Sequence, residues 1–122
     1  MIEYGNYLYQ HPDPEKVDEY ILPNCTCFQD TVDKLSGLQE RSWHVDGDDV
    51  SIVSVALLDR SDPNVAILDV VLKSNNRPIV DSHGGVKEAG IVGPPRHITY
   101  VLRLQNNGEW RIYSRDYVGD AQ

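Results

Sequence analysis

Two apolar runs decide the fold of this chain: Val50-Ser51-Ile52-Val53-Ser54-Val55-Ala56-Leu57-Leu58 and Val65-Ala66-Ile67-Leu68-Asp69-Val70-Val71-Leu72, separated by Asp62-Pro63-Asn64. Both are dominated by β-branched and aliphatic residues, which suit strands, and the Asp-Pro-Asn break reads as the turn between them. Neither approaches the roughly 18–20 apolar residues needed to span a bilayer. The same style continues downstream. Asn75-Asn76-Arg77-Pro78 interrupts the second run, and Ile79-Val80-Asp81 and Val86-Lys87-Glu88 flank Ser82-His83-Gly84-Gly85, which predicts a hairpin tip. After Gly93-Pro94-Pro95, the residues Ile98, Tyr100, Leu102 and Leu104 alternate with polar or smaller ones, as in a half-buried strand. Asn106-Asn107-Gly108 is a turn, and Trp110, Ile112 and Ser114 then alternate with Arg111, Tyr113 and Arg115 in a last strand.

Upstream of Trp43 the period changes. Tyr4, Tyr7 and Leu8 are spaced i, i+3, i+4, which predicts a short helix over residues 2–10. Asp13 is placed to cap a second helix with Pro14 at its first position, and Val17, Tyr20 and Ile21 make its apolar stripe. Asn24 is expected to cap a third, with Phe28, Val32, Leu35 and Leu38 along one face and Gly37 weakening its end. Helices segregated from a following set of four to six antiparallel strands make an α+β fold. The expectation is one domain over residues 1–122, with three N-terminal helices packed on a curved, mostly antiparallel sheet.

The charge distribution narrows the function. The chain carries a net charge of −8, and all of it lies in residues 1–50, which hold 11 acidic and 3 basic side chains; residues 51–122 hold eight of each. Such an acidic front repels phosphates, so nucleic acid is excluded as a partner. Met1-Ile2-Glu3-Tyr4 has neither the basic nor the apolar region of a signal peptide.

Cys25 and Cys27 flank one threonine, which is not a zinc-binding spacing. A helix N-terminus would lower a thiol pKa and suit a redox or nucleophilic role. Side chains at i and i+2 diverge on a helix, so a disulfide here is either strained or needs a non-helical turn. Two small buried residues, or a local disulfide in an oxidising compartment, are the simpler readings. His11, His44, His83 and His97 show no metal-ligand spacing, and His83-Gly84-Gly85 reads as a turn rather than an oxyanion motif. No metal and no cofactor are expected.

Several features together resemble a known superfamily: Pro23-Asn24-Cys25-Thr26-Cys27-Phe28, the entry Ser42-Trp43-His44-Val45, and the closing pair His97-Ile98-Thr99-Tyr100-Val101-Leu102 and Gly108-Glu109-Trp110-Arg111-Ile112. They look like the nuclear-transport-factor-two-like, or cystatin-like, cone fold. That superfamily includes ketosteroid isomerase, SnoaL-like cyclases and limonene epoxide hydrolases. Within it, the chain looks most like the soluble domains of actinobacterial envelope lipoproteins. The resemblance implies an extracytoplasmic location if a signal has been removed, and a cytoplasmic one otherwise.

The resemblance to limonene epoxide hydrolases singles out two catalytic candidates. Asp69, inside its apolar run, and Asp116, in Arg115-Asp116-Tyr117, resemble that family's aspartate pair, one activating water and the other protonating the epoxide. The family's bridging arginine falls where this chain has Ile67, which weakens the comparison. By period two, Asp69 shares a face with Val65, Ile67 and Val71, so it should be buried, paired or in a pocket. Tyr7, Tyr20, Tyr100 and Tyr113 are the ligand-binding candidates, since tyrosines lining a cone suit an apolar molecule with one polar handle. The expected function is a non-catalytic accessory or ligand-binding domain of a bacterial envelope protein. The alternative is a small cone-fold hydrolase or isomerase acting on an apolar molecule. Expected partners are a small apolar ligand, a second copy through the sheet face, and an envelope protein.

Overall fold

The structure, a computed structural model, describes residues 1–90 and 93–120. The chain opens with helix α1 (Ile2–Gln10), a 3-10 helix (Pro14–Glu19) and helix α2 (Thr26–Arg41), and every strand follows. Strands β2 (Val50–Asp59), β3 (Val65–Ser74), β6 (Arg96–Leu104) and β7 (Trp110–Asp120) form one antiparallel sheet in the order β2-β3-β6-β7. Strands β1 (His44–Val45), β4 (Ile79–Val80) and β5 (Val86–Glu88) form a smaller sheet, giving seven strands among the described residues where the sequence predicts four to six. The α+β architecture, with helices gathered on one face of a long antiparallel sheet, is as expected.

Local chemistry explains most boundaries. Asp13 caps the second helical segment, its carboxylate accepting from Glu15 N at 3.2 Å, with Pro14 next. Only six residues long and 3-10 in form, that segment cannot present the full amphipathic stripe of an α-helix. The cap of α2 is Cys25, not Asn24 as the sequence suggests: Cys25 is extended and Cys27 is the second helical residue. Because Cys25 stands outside the helix, its side chain is free of the divergence that i and i+2 impose, and it forms a disulfide with Cys27. Helix α2 runs past Gly37 to Arg41 and closes on left-handed Ser42. The predicted hairpin forms between β4 and β5. The Asp81 carboxylate accepts from His83 N and Gly85 N at 2.9 Å, which holds the tip and keeps that carboxyl below its ordinary pKa.

The core lies between the helices and the inner face of the large sheet, where Leu8, Val17, Ile21 and Leu35 meet Val70, Leu72, Ile98 and Ile112. Residues Tyr20 to Leu22 run along the edge of β7 and trade backbone hydrogen bonds with Ile112, so that edge is covered there. At the opposite edge the sheet outruns the helices. Val55 pairs with inward-facing Val70 and Leu57 with Leu68, yet they are 53% and 59% exposed.

Candidate functional site

A β-bulge in β7 sets which of its side chains enter the cone. In β7, Ile112 pairs with Leu102 and Ser114 pairs with Val101, so Tyr113 is an extra residue. A bulge of this kind reverses the alternation beyond it. Arg115 therefore turns to the inner face opposite Tyr100, and Asp116 turns outward opposite Thr99. The simple alternation of the sequence places Arg115 with Arg111 and Tyr113, and so misses this exchange. The same register brings Tyr117 opposite Ile98, and a second shift beyond it leaves Val118 as an extra residue and sets Gly119 opposite His97.

The inner face and α1 enclose a cavity of about 330 Å³. Tyr20, Ile98, Tyr100 and Ile112 form buried parts of its wall, and Tyr9 joins them from α1. Burial raises the pKa of Tyr9, Tyr20 and Tyr100, and the nearby Arg115 guanidinium pulls each part of the way back. All three are therefore neutral donors near neutral pH. Lys34, Arg96 and Arg115 stand at the rim with one carboxylate, Asp49. Burial raises the Asp49 pKa, while Arg96 and Lys34 oppose the rise. Buried Asn6 ties α1 to β2: its Nδ2 donates to Val50 O at 2.9 Å, and Val50 N donates to its Oδ1 at 3.2 Å.

Two spaces adjoin this cavity. One of about 510 Å³ lies between α2 and the small sheet and shares Tyr9, Lys34 and Asp49 with it. The other, of about 390 Å³, is the uncovered groove of the sheet, and it shares Ile2 and Tyr100.

The candidates from sequence separate into two groups. Tyr20 and Tyr100 meet in the cavity. Tyr7 is 47% exposed on the far side of α1, stacked against Tyr4 and tilted against His11. Tyr113 lies beneath the Arg103 guanidinium, 3.9 Å from its ring centre. Asp69, Thr99 and Asp116 are in register across β3, β6 and β7, so the two carboxylates share the outer face about 10 Å apart, two strand spacings. Neither lines the inner cavity or the two spaces beside it. Asp69 is part-exposed and paired, with His97 Nδ1 3.2 Å from both its oxygens. Sequence reasoning missed Tyr9, Arg96 and Arg115. The first has a spacing signal, one helical turn beyond Gly5, and Arg96 follows the plain alternation of Ile98, Tyr100 and Leu102 on β6, opposite Leu72; Arg115 alone enters through the bulge at Tyr113.

No family model and no curated protein matches the chain. Solved structures do. The intermembrane space region of the chloroplast protein ARC6 superposes with a TM-score of 0.66 at 11% identity, over 97% of this chain and 88% of that one. A nuclear transport factor 2 (NTF2-like) superfamily protein from Salmonella enterica serovar Typhimurium superposes with a TM-score of 0.59 at 13% identity, over 99% and 87%. At such identities the likeness is one of fold. With helices closing one face of a bulged antiparallel sheet around an inner cavity, this chain has the nuclear transport factor 2-like fold.

Proposed function

We propose that this chain is a non-catalytic ligand-binding domain of a bacterial envelope protein, with its site inside the cone. The observation that carries the reading is the cavity of about 330 Å³ walled by Tyr20, Tyr100, Ile98 and Ile112. It offers apolar surface and a few convergent polar groups, the usual character of a small-molecule site. The carboxylates that an epoxide-hydrolase-like reaction would use, Asp69 and Asp116, stand on the other side of the sheet. The extracytoplasmic part of the reading draws on the Cys25–Cys27 disulfide, since disulfides persist in oxidising compartments.

Binding of the neutral fluorophore N-phenyl-1-naphthylamine tests the site. A Cβ on Gly5 would sit 3.6 Å from the Tyr20 hydroxyl, so Gly5→Leu projects into the cavity from a helix that gains propensity by losing glycine. Saturable binding by the native chain, lost in Gly5→Leu, supports the reading. Absence of saturable binding, or equal binding by a folded Gly5→Leu variant, refutes it.

A further inference from the structure

We propose that the occupant of the cone is a single-chain anionic amphiphile, a carboxylate head with an aliphatic tail; this deepens the ligand-binding reading above and rests on it. The head site is the rim. Lys34, Arg96 and Arg115 surround the cavity with Asp49 as their one acidic neighbour, three cations to one carboxylate, in a chain of net charge −8. Among the described residues, none of the three cations makes an ion pair, whereas Lys16, Arg77, Lys87 and Arg111 all do. A net-positive rim above a partly desolvated cavity draws an anion, and guanidinium groups match a carboxylate with paired donors. The Tyr9, Tyr20 and Tyr100 hydroxyls lie around Arg115, and as neutral donors they complement the same charge.

The tail site is the uncovered end of the sheet. From Tyr100 and Ile2 the cavity passes into the groove of about 390 Å³ lined by Ile52, Val55, Leu68 and Leu102. Glu3 supplies its one charged side chain and the rest of its side chains are apolar or tyrosine, so an alkyl chain is favoured there. The groove also accounts for exposed inward-facing side chains: Ile52 is 49% and Val55 53% exposed on the face that elsewhere forms the core. A chain lying there removes that apolar surface from water. Head and tail sites meet at Tyr100, which fixes the polarity of the ligand: anion toward β7, tail toward β2.

Calorimetric titration with dodecanoate below its critical micelle concentration, and with dodecanol below its solubility limit, tests the assignment. Dodecanoate should bind at least about tenfold more tightly than dodecanol. Arg115→Gln and Arg96→Gln should each shrink that ratio while leaving dodecanol affinity unchanged. Between hexanoate and decanoate, affinity should rise by up to about fourfold per methylene, the transfer value for a buried CH₂. Val55→Glu, at an exposed position that does not test folding, should flatten the rise. Equal affinity for dodecanoate and dodecanol overturns the anion assignment while the ligand-binding reading stands. Retention of the full ratio in both arginine variants also overturns it. A native chain that binds neither molecule loses both readings.

Discussion

Removing the Asn6 side chain should loosen the joint between α1 and the sheet. β2 is an edge strand, and at Val50 its outward N–H and C=O have no neighbouring strand. Asn6 supplies both partners, donating to Val50 O and accepting from Val50 N, so one amide imitates a further residue of sheet. Asn6→Ala deletes two hydrogen bonds between a buried side chain and half-buried Val50. At about 0.5–1.5 kcal/mol each, the loss is about 1–3 kcal/mol, toward the upper end where water cannot reach Val50. Asn6→Asp separates the two bonds. It keeps the acceptor but turns a carboxylate oxygen toward the Val50 carbonyl, so at pH 7 it should cost at least as much as alanine. Protonation restores a donor. The folded pKa of that carboxyl therefore lies above the ordinary value of about 3.9, and stability relative to the native chain should recover as pH falls through it. Urea unfolding of the native chain and both variants at pH 7 and at pH 4 measures this. A cost below about 0.5 kcal/mol for Asn6→Ala, or an Asn6→Asp deficit that does not change with pH, would refute the reasoning.

The other predictions concern charge and burial. Asp69→Asn breaks a part-exposed pair with His97 and should cost only about 0.2–1 kcal/mol, leaving N-phenyl-1-naphthylamine binding unchanged; lost binding would move the site to the outer face. Asp49→Asn should raise stability at neutral pH by less than about 1 kcal/mol, because a carboxyl whose folded pKa is raised is least comfortable when ionised and is partly screened here. That gain should vanish as pH drops below the unfolded value, and chemical denaturation across pH 3–7 follows it. Tyr9, Tyr20 and Tyr100 have folded pKa values above the unfolded value of about 10, so the stability they confer is complete below that pH and is lost as pH rises through the folded values. Ultraviolet titration should show these tyrosines ionising late, together with unfolding; full ionisation of all seven near pH 10 in a folded chain would contradict their burial.

The amino-acid sequence by itself determined the order and type of the elements. The strand runs at 50–58 and 65–72, the Asp13-Pro14 start and the hairpin at 82–85 carry their own local chemistry, and each appears where that chemistry puts it. Asparagine and cysteine compete as the cap of α2, and Cys25 takes the place, extended, with its sulfur accepting from Cys27 N and bonded to Cys27. Which face of β3 turns inward rests on one residue. Ala66, Leu68, Val70 and Leu72 are apolar throughout, whereas Val65, Ile67 and Val71 share their face with Asp69, and an acid in an apolar run is compatible with a pocket as well as with a paired site on the outer face. The site depends on a still finer event. One extra residue at Tyr113 reverses the phase of β7, carrying Arg115 into the cone and Asp116 out of it. Periodicity assumes an unbroken pleat, and a bulge is set by how two strands of unequal length pair, so only the folded sheet decides which charge faces the cavity.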